Sequence, residues 1–361
     1  MRTFIVAAAL VVSLALFLVY HDLLPAFSSK SLPKHSSAYQ LGVPKSYSRY
    51  IDPPDRPLHL VFDGEGAALF ASRGSGAIEK WDLQDHSQSH VWQTNTVFSY
   101  IESVNSIITK SELDNVEILD LETQKLVPLT RDFYVHSAAD QSGKLLALSI
   151  GGRSLEMWKL DKKRLFKRWD THLPVRNGVA ISFDGQYLAA AEGTYDSVAN
   201  FHHTAIQLWS MKEKESQLLF NGEGEGEVHG VWSLVFSPDA SLIAADTQVD
   251  GKSGVTVWNV PKGERVFEVR GFDSYWVRAL AFSPGGKYLA MGNELGELLI
   301  WSFDLQEKVW QAQVGGQAIH SIAFSADGHM VAAGLQDSTI HVWHITLHSD
   351  AHVRWTSDDS L

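Results

Sequence analysis

The chain has no cysteine among its 361 residues. This absence excludes disulfide bonds, thiolate nucleophiles and cysteine-ligated zinc sites, and it suits an oxidising compartment where an unpaired thiol is a liability. The chain also lacks the Gly-x-Ser-x-Gly elbow, the phosphate-binding loop and the His-Glu-x-x-His motif. The sequence therefore predicts no catalytic residue, no metal ligand and no cofactor.

Basic charge is also scarce. Acidic residues outnumber basic residues by 42 to 30. Residues 1–50 carry five basic residues and one acid, so the rest of the chain has a net charge of −16. Such a body repels phosphate backbones, and we expect no basic stripe to concentrate binding. Nucleic acid is therefore not an expected partner.

Helical periodicity is missing from about residue 58 onward, and a repeated strand pattern takes its place. Short apolar runs alternate with Gly, Asp, Asn and Pro, which is typical of strands joined by tight turns. Three copies follow one another as SLVFSPDASLIAA…VTVWNV (Ser233 to Val260), ALAFSPGGKYLAM…LLIWSF (Ala279 to Phe303) and SIAFSADGHMVAA…IHVWHI (Ser321 to Ile345). A period of about 40–45 residues with this pattern indicates propeller blades.

The number of blades follows from the positions of a tryptophan that ends the third strand of each unit. Six copies carry it, and Leu119 holds the equivalent place in a weaker copy. A further strand follows the tryptophan in several units, for example SHVWQT in the first unit and AHVRWTS in the last. The prediction is an all-β, single seven-bladed propeller of four-stranded antiparallel blades over residues 57–361. The six structural tryptophans are Trp81, Trp158, Trp209, Trp258, Trp301 and Trp343.

These units resemble the repeats of the WD-repeat (WD40) propeller family. Among the six tryptophans that end third strands, the family's Trp-Asp pair survives only at Trp81-Asp82, and an aspartate six residues earlier occurs only as Asp337. The resemblance implies a scaffold for protein partners. Because most of the family's Asp–His–Ser/Thr–Trp network is missing, we expect the blades to be held by packing alone.

The N-terminal region predicts a membrane element followed by a linker. Phe4 to Tyr20 is 17 residues long and uncharged, which predicts a transmembrane or signal helix within residues 1–22. Either the segment is retained as a single-pass signal anchor, or it is cleaved after Ser28 and the protein is secreted. Residues 23–56 are rich in Ser, Pro and Lys and predict a flexible linker, with Ser46 to Ile51 as an alternative edge strand. The short basic head and the absence of cysteine favour a propeller outside the cytoplasm, in a bacterial periplasm or at the cell exterior. The absence of Asn-x-Ser/Thr favours a bacterial envelope protein over a glycosylated eukaryotic one.

Candidate partner-binding residues are those that the repeat does not explain. Trp232 and Trp276 precede the innermost strands of blades 5 and 6, either as interface anchors or as plugs between blades. Two long departures from the repeat, EGTYDSVANFHHT and NGEGEGEV, should lie on the same face, either as an acidic site or as solvated loops. The complete set is Trp232, Tyr275, Trp276, Asp273, Glu223, Glu225, Glu227, Asp196, His202 and His203.

Two functions compete on this sequence. The favoured one is a non-catalytic protein–protein interaction platform, tethered to or exported across a membrane, that binds a protein or peptide of basic character around blades 4–6. The alternative is an envelope enzyme, or a propeller that binds a ligand or cation at the mouth of its central channel. The sequence makes no prediction of the oligomeric state.

Overall fold

The computed structural model describes residues 38–41, 57–93, 96–101, 106–110, 116–123, 125–130, 134–140, 142–150, 153–196, 201–213, 216–225, 231–249, 252–269, 272 and 276–345. These residues form strands and turns within one compact unit, Ser37–Leu361. The predicted segment 1–22 and the candidates Asp273, Tyr275 and Glu227 lie outside them. None of the described residues belongs to a helix long and apolar enough to span a bilayer.

In the part of the chain that the structure describes, twenty-eight strands form seven four-stranded antiparallel sheets, as the repeat predicts. Within a blade, the innermost strand is called the first strand and the outermost the fourth strand, whereas the labels β1 to β28 follow the chain. Blade 1 contains β2 (Pro57–Phe62), β3 (Ala68–Arg73), β4 (Ala77–Asp82) and β5 (Gln88–Gln93); blade 2 contains β6 (Thr96–Ile101), β7 (Ser106–Lys110), β8 (Val116–Asp120) and β9 (Leu126–Thr130); blade 3 contains β10 (Tyr134–Ala139), β11 (Leu145–Ile150), β12 (Ser154–Lys159) and β13 (Arg164–Asp170); blade 4 contains β14 (Val175–Ile181), β15 (Tyr187–Asp196), β16 (Phe201–Ser210) and β17 (Ser216–Glu225). Blade 5 contains β18 (Leu234–Phe236), β19 (Leu242–Val249), β20 (Lys252–Asn259) and β21 (Glu264–Val269); blade 6 contains β22 (Val277–Phe282), β23 (Tyr288–Asn293), β24 (Glu297–Ser302) and β25 (Glu307–Gln313); blade 7 contains β26 (Ile319–Phe324), β27 (Met330–Leu335), β28 (Ile340–His344) and β1 (Ala38–Leu41).

The fourth strand of blade 7 comes from the region that composition assigned to a flexible linker. β1 pairs antiparallel with β28, with Ala38 opposite Trp343 and Leu41 opposite Ile340. The sequence pointed instead to AHVRWTS for this position and to Ser46 to Ile51 for an added strand, and both segments lie outside the described residues. The physical reason is that β28 offers an open row of N–H and C=O groups, and any extended segment that reaches it can satisfy them.

The core lies between neighbouring blades. Seven clusters of buried apolar side chains fill the seven blade-to-blade interfaces, and one of them joins blade 7 to blade 1. The second strands β3 and β27 are buried along their whole length, whereas the fourth strand β13 is mostly exposed. The repeated tryptophans all end third strands, and Trp209, Trp258 and Trp343 are buried there.

The recurring Ser-x-Asp turn has a clear structural cause. The hydroxyl groups of Ser182, Ser237 and Ser325 donate to the aspartates two positions later, at 2.6–2.7 Å. The same oxygens accept the N–H five positions later, at 2.8–2.9 Å. One buried serine thus closes the hairpin between the first and second strands, which explains why the Ser-x-Asp pattern recurs in the sequence.

Two blades replace the missing family network with a glutamate. Glu79 and Glu156 stand two residues before the third-strand tryptophan, and each accepts the indole N–H of Trp81 or Trp158 at 2.9–3.0 Å. The guanidinium of Arg73 or Arg168 lies against the same carboxylate. The expectation that packing alone holds the blades is therefore wrong for blades 1 and 3.

Candidate functional site

The connections from fourth to first strands and from second to third strands lie on one face of the propeller, called here the loop face. Backbone hydrogen bonds join the two kinds of connection directly, as from Glu294 N–H to the carbonyl of Trp276 and from Gln336 N–H to the carbonyl of Ala318. The opposite face carries the remaining hairpin turns and is called the turn face. Trp232 and Trp276 both belong to connections of the loop face, as the sequence analysis predicted.

Arg278 brings the two unexplained tryptophans together. Its guanidinium carbon lies 4.1 Å from the ring centroid of Trp232 and 5.8 Å from that of Trp276. The Nε group of Arg278 also donates to Glu294 at 2.8 Å. Trp232 remains 40% exposed, so the stack presents an aromatic ring to solvent. We call Trp232, Trp276, Arg278 and Glu294 the Trp–Arg cluster.

A buried carboxylate holds the main chain beneath this cluster. Asp246 accepts the backbone N–H groups of Trp232 and Ser233 at 2.8 and 2.6 Å. Burial raises the pKa of Asp246 to about 7, while these two hydrogen bonds and the nearby Arg278 act in the opposite direction. The hydroxyl of Ser233 in turn accepts the N–H of Leu280 in blade 6 at 3.1 Å. The backbone that carries Trp232 is therefore held by hydrogen bonds within blade 5 and between blades 5 and 6.

The turn that carries Glu294 is fixed by a glycine. Gly296 has φ +78°, and a Cβ atom there would lie 2.7 Å from the carbonyl oxygen of Gln317 and 2.8 Å from that of Gly315. Only glycine fits this conformation and this close approach. The position of Glu294, and through it that of Arg278, follows from this turn.

The predicted acidic loops are mostly strand. β15, β16 and β17 are ten residues each, and the ladder continues to Asp196 opposite Phe201 and Phe201 opposite Glu225. His202 and His203 are consecutive residues of β16. His203 Nε2 lies 2.6 Å from Oδ1 of Asn221, and Glu223 is its partner across the ladder. Blade 4 is therefore an extended sheet at the loop face, and the prediction of two long loops is wrong for residues 192–196, 201–204 and 221–225.

A cation or catalytic centre gains no support from the described residues. They contain no group of three or more metal-ligating side chains. Besides Asp246, burial also raises the pKa of Glu192, which accepts the N–H of Leu173 at 2.9 Å. Each of these two carboxylates is hydrogen-bonded to the backbone before the first strand of its own blade, and no hydrogen bond joins them in the described region.

The central channel contains an apolar cavity of about 700 Å³ that reaches the turn face. Side chains of the innermost strands and of the turns that follow them line it, among them Leu60, Leu234, Leu280 and Phe183. Asp140 is the one ionisable residue among the lining residues that the structure describes. Its carboxylate already accepts the N–H of Leu145 and the hydroxyl of Ser142.

Sequence reasoning missed two sets of residues. Arg278 and Glu294 carry no unusual local signal, and only their contacts reveal them. Residues 159–168 read KLDKKRLFKR, with six basic residues and one acid. The expectation that the chain has no basic stripe is therefore wrong for this segment, and counting charge in a short window would have found it.

Comparisons with known proteins agree with the blade geometry. A family model described as "WD domain, G-beta repeat" matches residues 263–302, and the "Anaphase-promoting complex subunit 4 WD40 domain" model matches residues 289–359. The chain carries WD40 repeats. The two matches cover blades 6 and 7 and adjoining residues, where the repeat phrase is most regular.

Curated relatives resemble a larger part of the chain. Transcription initiation factor TFIID subunit 5 of Caenorhabditis elegans is 27% identical over 58% of this chain and 30% of its own length. Small ribosomal subunit protein RACK1y of Oryza sativa subsp. japonica is 31% identical over 34% of this chain and 35% of its own length. The Periodic tryptophan protein 2 homolog of C. elegans is 21% identical over 63% of this chain and 26% of its own length. The chain thus spans about a third or less of the length of these relatives.

Proposed function

We propose that this WD40 propeller is a non-catalytic protein–protein interaction platform whose contact surface is the loop face around blades 4–6. The observation that carries the proposal is the exposed ring of Trp232 stacked on Arg278. Trp and Arg are the residue types most enriched at the energetic centres of protein interfaces. Two relatives whose names denote a subunit of TFIID and a ribosomal subunit protein support the same class of function by analogy.

The cluster suits binding because its geometry is set in advance. Glu294 orients the guanidinium, and Asp246 holds the backbone of Trp232. A side chain that is already held loses little conformational entropy when a partner covers it. The long strands of blade 4 carry Asp196, Glu223 and Glu225 on the same face, which supports a partner of basic character. Asp273, Tyr275 and Glu227 belong to the same proposed surface by their sequence positions.

The test is crosslinking from the surface itself. A photoreactive amino acid at position 232 should crosslink a discrete partner in cells, and the same probe at Phe183 on the turn face should not. Phe183 is a matched control because it is also aromatic and is 48% exposed. In affinity capture, the partner should be retained by Phe183→Ser and lost with Trp232→Ser. Equal recovery with the two variants would contradict the proposal.

We also propose that residues 1–22 attach the propeller to a membrane with the propeller outside the cytoplasm. The uncharged run from Phe4 to Tyr20 supports this proposal. Membranes washed at alkaline pH should retain the full chain, and protease added to intact cells or spheroplasts should digest the propeller. Release by the wash, or a propeller protected from protease until lysis, would contradict it.

A further inference from the structure

The turn face contains a basic groove between blades 3 and 4. Its volume is about 610 Å³, and four lysines line it: Lys144, Lys159, Lys162 and Lys212. Three of them belong to two hairpins of blade 3 and Lys212 belongs to a hairpin of blade 4, so the groove exists only when the two blades are assembled. In a chain with a net charge of −12, this is a local concentration of positive charge.

The lysines are available to a partner. Lys144, Lys162 and Lys212 are exposed, and their ammonium groups make no hydrogen bond or ion pair with the residues that the structure describes, although the backbones of Lys144 and Lys212 are hydrogen-bonded. Of the three aspartates in the lining, Asp140 and Asp184 already accept hydrogen bonds within their own turns. These carboxylates keep their negative charge, so four lysines and three aspartates give the lining a net charge of +1.

The groove also has an apolar wall. Phe166 on β13 is 46% exposed, and the ammonium group of Lys159 lies 4.3 Å from its ring centroid. An exposed apolar side chain among cations on a sheet edge favours a ligand that is both acidic and apolar.

The relative position of the two blades is fixed at this groove. Lys167 extends from β13 to blade 4 and donates to the carbonyl groups of Met211 and Glu213 at 3.2 and 3.0 Å. Its ammonium also lies 4.7 Å from the ring centroid of Trp169. The walls are therefore held before a ligand binds, which lowers the entropic cost of binding.

From these contacts we infer that the groove binds an extended acidic peptide segment of a partner protein that also carries apolar side chains. Charge complementarity selects the acidic character, and Phe166 selects the apolar side chains. A concave cleft between two blades admits an extended chain, whereas a lipid bilayer offers a flat surface. A single exposed ring already covered by a lysine offers no platform for stacked bases. This surface lies on the opposite face from the Trp–Arg cluster and stands independently of it.

The experiment measures binding of a fluorescein-labelled decapeptide of glutamate with interspersed leucine to the full-length protein by fluorescence anisotropy. The charge-reversed peptide of lysine and leucine is the ligand control. Binding should be specific to the acidic peptide and should weaken on raising the salt concentration, since screening shortens the range of these charges to about 10 Å at 0.1 M. Lys162→Gln/Lys212→Gln should weaken binding about tenfold, in line with loss of two charge contacts at an interface.

The matched control is Lys262→Gln/Lys287→Gln. These lysines lie on the same turn face, in blades 5 and 6, are exposed, and make only loose ion pairs of 3.9 and 3.8 Å. The control should bind as the wild type does, and Phe166→Ser should bind more weakly. Equal loss in the two double variants, no binding of the acidic peptide by the wild type, or a preference for phosphatidylserine vesicles over the peptide would each overturn the inference. Circular dichroism melts of all variants exclude loss of fold as the cause.

Discussion

Ala38 and Trp343 are backbone partners in one antiparallel ladder, although more than three hundred positions separate them. This pairing makes blade 7 a composite of residues from distant parts of the chain. Contacts between blades 1 and 7 reinforce it, because Arg73 donates to the carbonyl of Ser338 at 2.8 Å. Ring closure therefore depends on strand β1 as well as on blade packing.

Proline in β1 should weaken ring closure. In an edge strand, the backbone N–H groups of successive residues point alternately toward the neighbouring strand and away from it. Tyr39→Pro/Gln40→Pro therefore removes at least one N–H group that donates to the ladder. We expect the free energy of unfolding to fall by about 2–4 kcal/mol in urea denaturation. The control Tyr39→Thr/Gln40→Thr keeps both N–H groups and should be close to wild type. Equal stability of the two double variants would show that β1 contributes nothing to closure.

The glutamate beneath Trp158 should stabilise blade 3. Glu156 is 2% exposed, accepts the indole N–H at 2.9 Å and pairs with Arg168 at 3.2 Å. Glu156→Leu leaves the buried indole N–H without an acceptor, and we expect the free energy of unfolding to fall by about 2–3 kcal/mol. Loss of the ion pair adds little to this change, because Arg168 is half exposed and stays hydrated in the variant. Glu156→Gln retains an acceptor and should cost less. Guanidinium denaturation measures the difference, and a leucine variant as stable as wild type would refute this role.

Two tryptophans allow the indole hydrogen bond to be separated from packing. Trp158 donates to Glu156, whereas the buried indole nitrogen of Trp301 has no hydrogen-bond partner in the described region. Trp158→Phe should therefore cost about 1–3 kcal/mol more than Trp301→Phe. Trp301→Ala should cost about 3–5 kcal/mol, since it removes a large ring packed against Phe267 at a centroid distance of 6.4 Å. The melting temperatures of the variants test the order, and equal losses in the two phenylalanine variants would contradict it.

The stability of the propeller should depend on pH through Asp246. The pKa of this carboxyl is about 7 in the folded state, against about 3.9 in an unfolded chain. Between pH of about 3.9 and 7, the Asp246 carboxyl is protonated in the folded state and ionised in the unfolded state. The free energy of unfolding therefore falls as pH rises through this range and is lowest above pH of about 7. Asp246→Asn keeps an acceptor oxygen and removes the titration.

The measurement is urea denaturation of wild type and Asp246→Asn between pH of about 4 and 7. The stability of wild type relative to the variant should decline across this range by up to about 4 kcal/mol. A constant difference between the two proteins would show that Asp246 does not titrate in this window. An increase with pH would show that the net shift has the opposite sign.

Residues 182–187 show why the blades could be predicted. Ser182 and Asp184 form their turn through hydrogen bonds within six positions, so the hairpin depends on residues that are close together in the sequence. The same applies to Ser237 and Ser325 and to the tryptophans that end third strands. The prediction failed at blade 4, where Gly193, Gly222 and Gly224 resemble loop residues but continue the ladders of β15, β16 and β17. There, pairing with a neighbouring strand outweighed local turn preference.

The sequence by itself determined the number of blades, the antiparallel order within each and the unusual status of Trp232 and Trp276. These features depend on repeat length, turn chemistry and alternation, which act over a few residues. Only the tertiary structure decided that β1 closes blade 7, that Arg278 stacks between the two tryptophans and that Lys144 and Lys212 line one groove. Each of these joins residues tens to hundreds of positions apart, and no local pattern specifies which distant segments meet when the ring closes.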